Sequence, residues 1–300
     1  MSNINAWLEA VRIRTLPLAL SSTILGSFFA FSEGQFKWPV FVLASLTTLF
    51  LQILSNLAND YGDFKNGVDN ENRIGPRRVV QSGLISAGKM RYALLTIVLL
   101  TLLSGTLLIF TGTSGGGNFV KVLFFVIGIL AIVAAVKYTV GKNPYGYRGL
   151  GDIFVFLFFG LIGVMGTYYL HTSSFSFWLV LPATSIGLLS AGVLNLNNLR
   201  DYESDKKANK RTLVVMMGSK RAKIYHLSLV AGSLLAGIIY TIFNFHSGYQ
   251  LLFIITIPLF VENIRSVFFY HRPVELYPEL KRLAVSTLLF SIFFGLGQIL

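Results

Sequence analysis

Two short stretches of this 300-residue sequence carry the residue types that metal and phosphate chemistry needs. In the first, Asn56, Asp60 and Asp63 stand at i, i+4 and i+7, so on a helix their side chains share one face. In the second, Asn197, Asp201 and Asp205 follow the same order, and both stretches read N-x-x-x-D-Y. Like charges one turn apart destabilise a helix by roughly a few tenths of a kcal/mol. Carboxylates near a helix C-terminus also oppose its dipole. Both costs arise at both sites, and a bound cation offsets them. Oxygen-only donors with no Cys or His nearby favour a hard ion, and Mg²⁺ typically binds through a few carboxylates plus substrate phosphates. Two such clusters facing each other across a bundle could hold one diphosphate between them through Mg²⁺. A solvated helix end explains a single Asp pair; the doubled motif weighs against it.

Basic residues around the clusters suit a phosphate ligand. Arg73, Arg77 and Arg78 follow the first, and Arg200, Lys206, Lys207, Lys210 and Arg211 surround the second. Arg forks and Lys point charges both match phosphate oxygens. A third element is Tyr138-Thr-Val-Gly-Lys142, whose ends meet at i, i+4 spacing if the helix before it continues. Beside two acidic clusters it reads as a phosphate anchor.

The elements that must position these residues are membrane spans. The chain is 54% hydrophobic and 13% charged, with 26 Phe, no Cys and a mean hydropathy of +0.66. A soluble domain carries about 25% charged residues. Nine apolar segments are expected, over approximately 16–31, 38–57, 92–111, 119–138, 150–170, 177–195, 224–245, 249–269 and 283–300. Each is near the ~20 residues that cross a bilayer as a helix, and none alternates like a barrel strand. The first, which contains Pro17, has the least defined ends.

Charge placement orients them. Of the 25 Lys and Arg, all except Lys37 and Lys121 fall on alternate connections and their flanking helix ends, starting with the N-terminus. By the positive-inside rule the N-terminus is cytoplasmic and the C-terminus external. All acidic residues except Glu33 then lie on the cytoplasmic side, which places function there. The formal charge of +12 therefore reflects membrane orientation rather than nucleic-acid binding. No cleavable leader is expected, since no small-residue cleavage site closes the first apolar run. The absence of Cys excludes disulfides and thiolate metal sites. The two motifs lie four helices apart, which suggests two four-helix halves plus a ninth helix.

With these residues in view, the chain resembles the UbiA superfamily of intramembrane aromatic prenyltransferases. "NDYGDFKNGVDNENRIGPRRVVQSG", "YTVGKNPYGYRGLGD" and "NNLRDYESDKKANKRTLVVMMG" are most similar to its branch that prenylates 1,4-dihydroxy-2-naphthoate. The resemblance covers essentially the whole chain. It implies an all-α polytopic protein of the cell (inner) membrane, a single domain over 1–300 with its active site at the cytoplasmic face. Polyprenyl diphosphate and 1,4-dihydroxy-2-naphthoate would be the substrates, within membrane lipid and with no obligate protein partner. Asp60, Asp63, Asp201 and Asp205 would hold Mg²⁺, and Asn56 and Asn197 would orient the diphosphate. Lys142, Arg78 and Lys206 would neutralise its charge, and Tyr138 with helix-lining Phe residues would stabilise an allylic cation. One departure concerns Asp69: family members often place a third Asp four residues after the second, and here it lies six after Asp63.

Other readings are weaker. An ion transporter needs an acidic relay near mid-membrane, which this chain lacks. A phosphatidyl-alcohol transferase needs a D-G-x-x-A-R signature, also absent. Within the family, 4-hydroxybenzoate, homogentisate or haem remain alternative acceptors. Asp152 suits the N-terminal dipole of the fifth helix. Glu262 and Arg265 are expected to pair. His226 and His271 are expected in loops or interfaces, and His171 and His246 on the external side. Most of the Phe residues are expected to face lipid or packing partners.

Overall fold

In the computed structural model, residues 3–68, 78–115 and 117–300 are described; Asp69, Arg73 and Arg77 lie outside them. Among the described residues there is no strand. Among the described residues, nine helices are long and apolar enough to cross a membrane: Ile4–Ser32, Trp38–Lys65, Ala87–Gly112, Asn118–Lys137, Gly151–Thr172, Phe177–Arg200, Ser219–Phe243, Gly248–Phe269 and Pro273–Ile299. With no water to satisfy backbone groups in hydrocarbon, helices that close their own hydrogen bonds are the available solution for such sequences. The chain is an all-helical polytopic membrane protein.

The expected segments recur with shifted ends. The first span begins earlier: a helix over Asn3–Val11 precedes a 3₁₀ turn at Ile13–Thr15 and the helix Leu16–Ser32. Arg12 breaks it with a left-handed φ of 53°, and Pro17 sits in the first turn after the break, where its missing N–H costs nothing. The second span runs on through its motif to Lys65. The sixth stops at Arg200, and a separate short helix, Tyr202–Lys207, carries Asp205. The fourth stops at Lys137, and Gly141, at φ 111°, turns the chain away. Tyr138 and Lys142 therefore do not meet at helical spacing. Within the fifth span, Phe156–Gly166 forms a π-helical stretch, a rare form that is frequent at functional sites.

The main core joins spans one, five, six, seven, eight and nine, with Phe253, Phe260, Phe290 and Phe294 ring-packed at its centre. A second cluster lies at the end of the bundle that carries the motifs. There Val79, Val80 and Ile85 pack on Ala6, Ala10 and Leu57, fixing the loop that bears Arg78 over the end of the second span. Polar bonds hold the opposite end. Buried His171 contacts the Ser27 hydroxyl at 3.0 Å and accepts the Lys37 N–H at 3.0 Å. Back toward the motif-bearing end, His226 is buried against Asn263 at 2.9 Å, between the seventh and eighth spans. Glu262 and Arg265 are both exposed and form no ion pair among the described residues. The expected pairing fails because each side chain can point to solvent instead.

Candidate functional site

Close approach of two elements sets the site. Gly62, between Tyr61 and Asp63, lies against the Thr139 backbone; a Cβ there would stand 2.7 Å from the Thr139 carbonyl. Thr139 donates to the Ala58 carbonyl at 2.9 Å, and the Asn66 amide donates to the Thr139 carbonyl at 2.8 Å. The end of the second span is thereby locked to the turn that follows the fourth. Asn56 is anchored separately: its amide donates to the Val11 carbonyl at 2.8 Å and the Thr15 hydroxyl at 3.0 Å, and it accepts from Gln52 at 3.2 Å.

All four motif aspartates are buried, with exposures of 3% for Asp60, 1% for Asp63, 4% for Asp201 and 4% for Asp205. A carboxylate this deep needs positive charge or donors around it. Arg78 donates to Asp63 at 2.5 Å, and the Tyr147 hydroxyl donates to its other oxygen at 2.7 Å. The Val79 N–H donates to Asp60 at 3.2 Å. Arg200 grips Asp201 with two bonds, of 2.8 and 2.6 Å, and donates to Asn197 at 2.9 Å. Lys210 links the two motifs, with its Nζ 3.5 Å from Asp63 and 3.7 Å from Asp205. Arg14, Tyr277 and Arg200 continue this network into the first and ninth spans.

Beneath this layer lies a cavity of about 320 Å³. Asn56, Asn59, Asp63, Arg78, Asn197 and Lys210 line its polar end, and its remaining wall is largely apolar. Along it runs an aromatic row. Tyr138 meets Tyr145 edge-on at 5.4 Å, Tyr145 stacks on Phe154 at 4.1 Å, and Phe154 on Phe158 at 6.3 Å. The π-helical stretch contributes Phe158, Phe159, Ile162, Gly163 and Gly166 to the same wall. Enclosure by protein lifts the Tyr138 phenol well above its usual range, and the charges of Asp152, Asp205 and Asp63 push the same way, so it stays neutral.

The structure thus brings Asn56, Asp63, Arg78, Tyr138 and Asn197 to one cavity, with Asp60, Asp201 and Asp205 buried behind its polar end. Lys142 and Lys206 are exposed and do not line it. Lys206 lies 5.9 Å from the Tyr202 ring. Asp152 is buried at the start of the fifth span and accepts from the Tyr225 hydroxyl at 3.3 Å. Two residues at the centre of the network, Tyr147 and Lys210, are not singled out by helical spacing, because Tyr147 reaches Asp63 from a single 3₁₀ turn over Tyr145–Arg148 and Lys210 from a loop. Tyr147 falls inside "KNPYGYRGLGD", where a polar aromatic in a Gly-rich turn was the available signal.

The donor set fits Mg²⁺. It comprises carboxylates and amides only, the chain has no Cys, and His226, like the other His residues, is not among the cavity's lining residues. The acids stand neutralised by Arg and Lys, and among the described residues no three acidic or His side chains form a ready-made metal cluster. An incoming metal–phosphate unit would exchange with these ion pairs.

A sequence model described as the UbiA prenyltransferase family matches residues 19–275. The 1,4-dihydroxy-2-naphthoate octaprenyltransferase of Escherichia coli K12 is 45% identical over 297 residues, covering 99% of this chain and 96% of its own. The enzyme of the same name from Mycobacterium tuberculosis is 30% identical, covering 97% and 96%. Among solved structures, a UbiA homolog from Archaeoglobus fulgidus bound to DMAPP and Mg²⁺ superposes with a TM-score of 0.64 at 17% identity, covering 98% of each chain.

Proposed function

Since this chain belongs to the UbiA prenyltransferase family, we propose that it transfers a polyprenyl group from polyprenyl diphosphate to 1,4-dihydroxy-2-naphthoate, releasing CO₂ and diphosphate. The observation that carries this reading is the convergence of two acidic motifs and the cations paired with them on the polar end of one aromatic-lined apolar cavity. The names of the relatives support the naphthoate acceptor and an octaprenyl donor.

Asp60, Asp63, Asp201 and Asp205 hold Mg²⁺ in this reading, with Asn56 and Asn197 turned to the diphosphate. Bound there, Mg²⁺ supplies Lewis-acid assistance to departure of the diphosphate. Arg78 and Lys210 move their charge from carboxylate to phosphate oxygens as the donor arrives. Tyr138, Tyr145 and Phe154 present π-faces to the allylic carbon as it gains positive charge, worth about 1–2 kcal/mol when desolvated. The apolar walls keep out water, which would capture that carbon. Lys142 and Lys206, exposed and outside the cavity lining, act on the approach of the anionic donor rather than on its reacting atoms. The active site faces the cytoplasm, as the distribution of Lys and Arg indicates.

The acceptor sets the stoichiometry. In 1,4-dihydroxy-2-naphthoate the carbon bearing the carboxylate is the one prenylated, so no ring proton is available to leave there. The C–carboxylate bond breaks instead, its electron pair restores the ring, and CO₂ departs. Purified protein with Mg²⁺, octaprenyl diphosphate and carboxyl-labelled acceptor should release one labelled CO₂ per prenyl transferred. A prenylated product that keeps the label, or transfer to 4-hydroxybenzoate in its place, would overturn the naphthoate assignment.

A further inference from the structure

We propose that Asp152, acting through the Tyr138 hydroxyl, takes the proton of the acceptor's 1-hydroxyl as the ring attacks the prenyl group, and returns it once CO₂ has left. This rests on the prenyl transfer proposed above. It adds a proton acceptor that the two acidic motifs, engaged with cations, do not supply.

Asp152 is set apart by what surrounds it. Each motif aspartate meets an Arg, a Lys or a backbone N–H. Asp152 is as deeply buried, at 5% exposure, yet among the described residues no Arg or Lys pairs with it. Its side chain accepts only a long bond of 3.3 Å, from the Tyr225 hydroxyl. A buried carboxylate without a cation is costly. Capping the fifth span does not account for its burial, because an exposed acid at a helix N-terminus meets the same dipole. With so few donors around it, the carboxylate keeps lone pairs open to a proton.

Its position suits that role. Val155, three residues on and on the same helix face, lines the cavity, so Asp152 stands one turn nearer the cytoplasm on the cavity side. Tyr138 lies beside it. A Cβ at Gly151 would stand 2.9 Å from the Tyr138 ring and 3.4 Å from its phenol oxygen. Tyr138 lines the cavity, and its hydroxyl makes no hydrogen bond among the described residues. Of the charges acting on this phenol, that of Asp152 weighs most, ahead of Asp205 and Asp63. The seventh span faces Asp152 with the Tyr225 phenol, and the sixth meets Gly151 with uncharged Leu194. Tyr138 can thus accept from a ligand in the cavity and donate onward to Asp152. Hydrogen bonds of this kind often close only when substrate is bound.

Electrons and protons balance along this path. The ring's electron pair, pushed by the 1-oxygen, bonds the allylic carbon, while diphosphate keeps the pair of the C–O bond it leaves. The 1-hydroxyl proton passes to Tyr138, whose own proton passes to Asp152. The 1-oxygen is then a carbonyl next to the carbon bearing the carboxylate, the arrangement of a β-keto acid, from which CO₂ leaves readily. The pair from the broken C–C bond moves to the 1-oxygen, which recovers its proton by the same route.

Asp152→Asn and Tyr138→Phe test the relay with Mg²⁺, octaprenyl diphosphate and the naphthoate acceptor. General acid–base steps contribute roughly 10²–10⁴-fold, so each variant should lose about 10²-fold or more in kcat near neutral pH. KM for octaprenyl diphosphate should be little changed. The double variant should be no slower than the slower single one, because both changes cut one path. In each variant the deficit should shrink as pH rises and the acceptor's own hydroxyl ionises. A deficit of the same factor at every pH would mark a structural role and overturn the proposal, as would full kcat in either variant. If Asp152→Asn does not accumulate in membranes, Tyr138→Phe, which keeps the ring and removes only the hydroxyl, decides alone. No transfer by the unmodified protein would instead remove the prenyl-transfer reading itself.

Discussion

Replacing Asp63 by Asn probes the ion-pair hub most directly. The carboxylate lies 2.5 Å from Arg78 and 3.5 Å from Lys210, with all three side chains buried. At an effective dielectric constant of about 20 these separations correspond to gross attractions of about 7 and 5 kcal/mol. Desolvation offsets most of that, and removing one member of a buried pair typically costs about 3–5 kcal/mol. Asn keeps the shape and its oxygen still accepts from Tyr147, but its NH₂ cannot accept from Arg78, so the charge and that hydrogen bond are lost together. We predict an apparent melting temperature roughly 5–10 °C lower, measured in one detergent at one scan rate. Arg78→Met alone should cost a similar amount. The double variant, which removes both charges, should recover much of the stability, because coupled sites are not additive. Turnover should stay lost in all three. Additive destabilisation in the double variant would refute the coupling. Recovery of turnover along with stability would reduce the pair to a structural role and remove Asp63 and Arg78 from the proposed chemistry.

Two further outcomes are expected. Asp60→Asn and Asp201→Asn should each reduce turnover to background in membranes while insertion and expression continue; substantial activity in either would end the two-cluster reading. A Cys at Ser114 should react with an impermeant thiol reagent added outside intact cells and one at Asn209 should not, with the reverse pattern overturning the cytoplasmic site.

Much of this was legible in the sequence because lipid is a demanding solvent. A span needs ~20 apolar residues whatever its neighbours, so the nine segments stand out by composition alone. The second-span motif was legible too, because its helix continues unbroken to Lys65. What did not show was geometry fixed by distant partners. Helix continuation through Tyr138 and Lys142 was a reasonable expectation, but the chain turns at Gly141, and Lys142 ends up exposed. The place of Tyr147 and Lys210 depends on loops folding back over Asp63, and no local period encodes that. The 26 Phe were equally silent; only packing separates Phe154 and Phe158 on the cavity wall from Phe119 and Phe125 in lipid.

The fourth span is also the shortest of the nine, at 20 residues against 22 to 29 for the others. At 1.5 Å per residue it is about 30 Å long, which just matches a typical hydrocarbon core. Hydrophobic mismatch costs fractions of a kcal/mol per Å, and a helix with one buried residue has little protein packing to resist it. The annular lipids therefore act as a structural component of the chamber, holding from outside a wall that the protein grips only lightly from within. A thicker bilayer pulls on this wall before any other, so membrane composition becomes a physical input to the shape of the cavity.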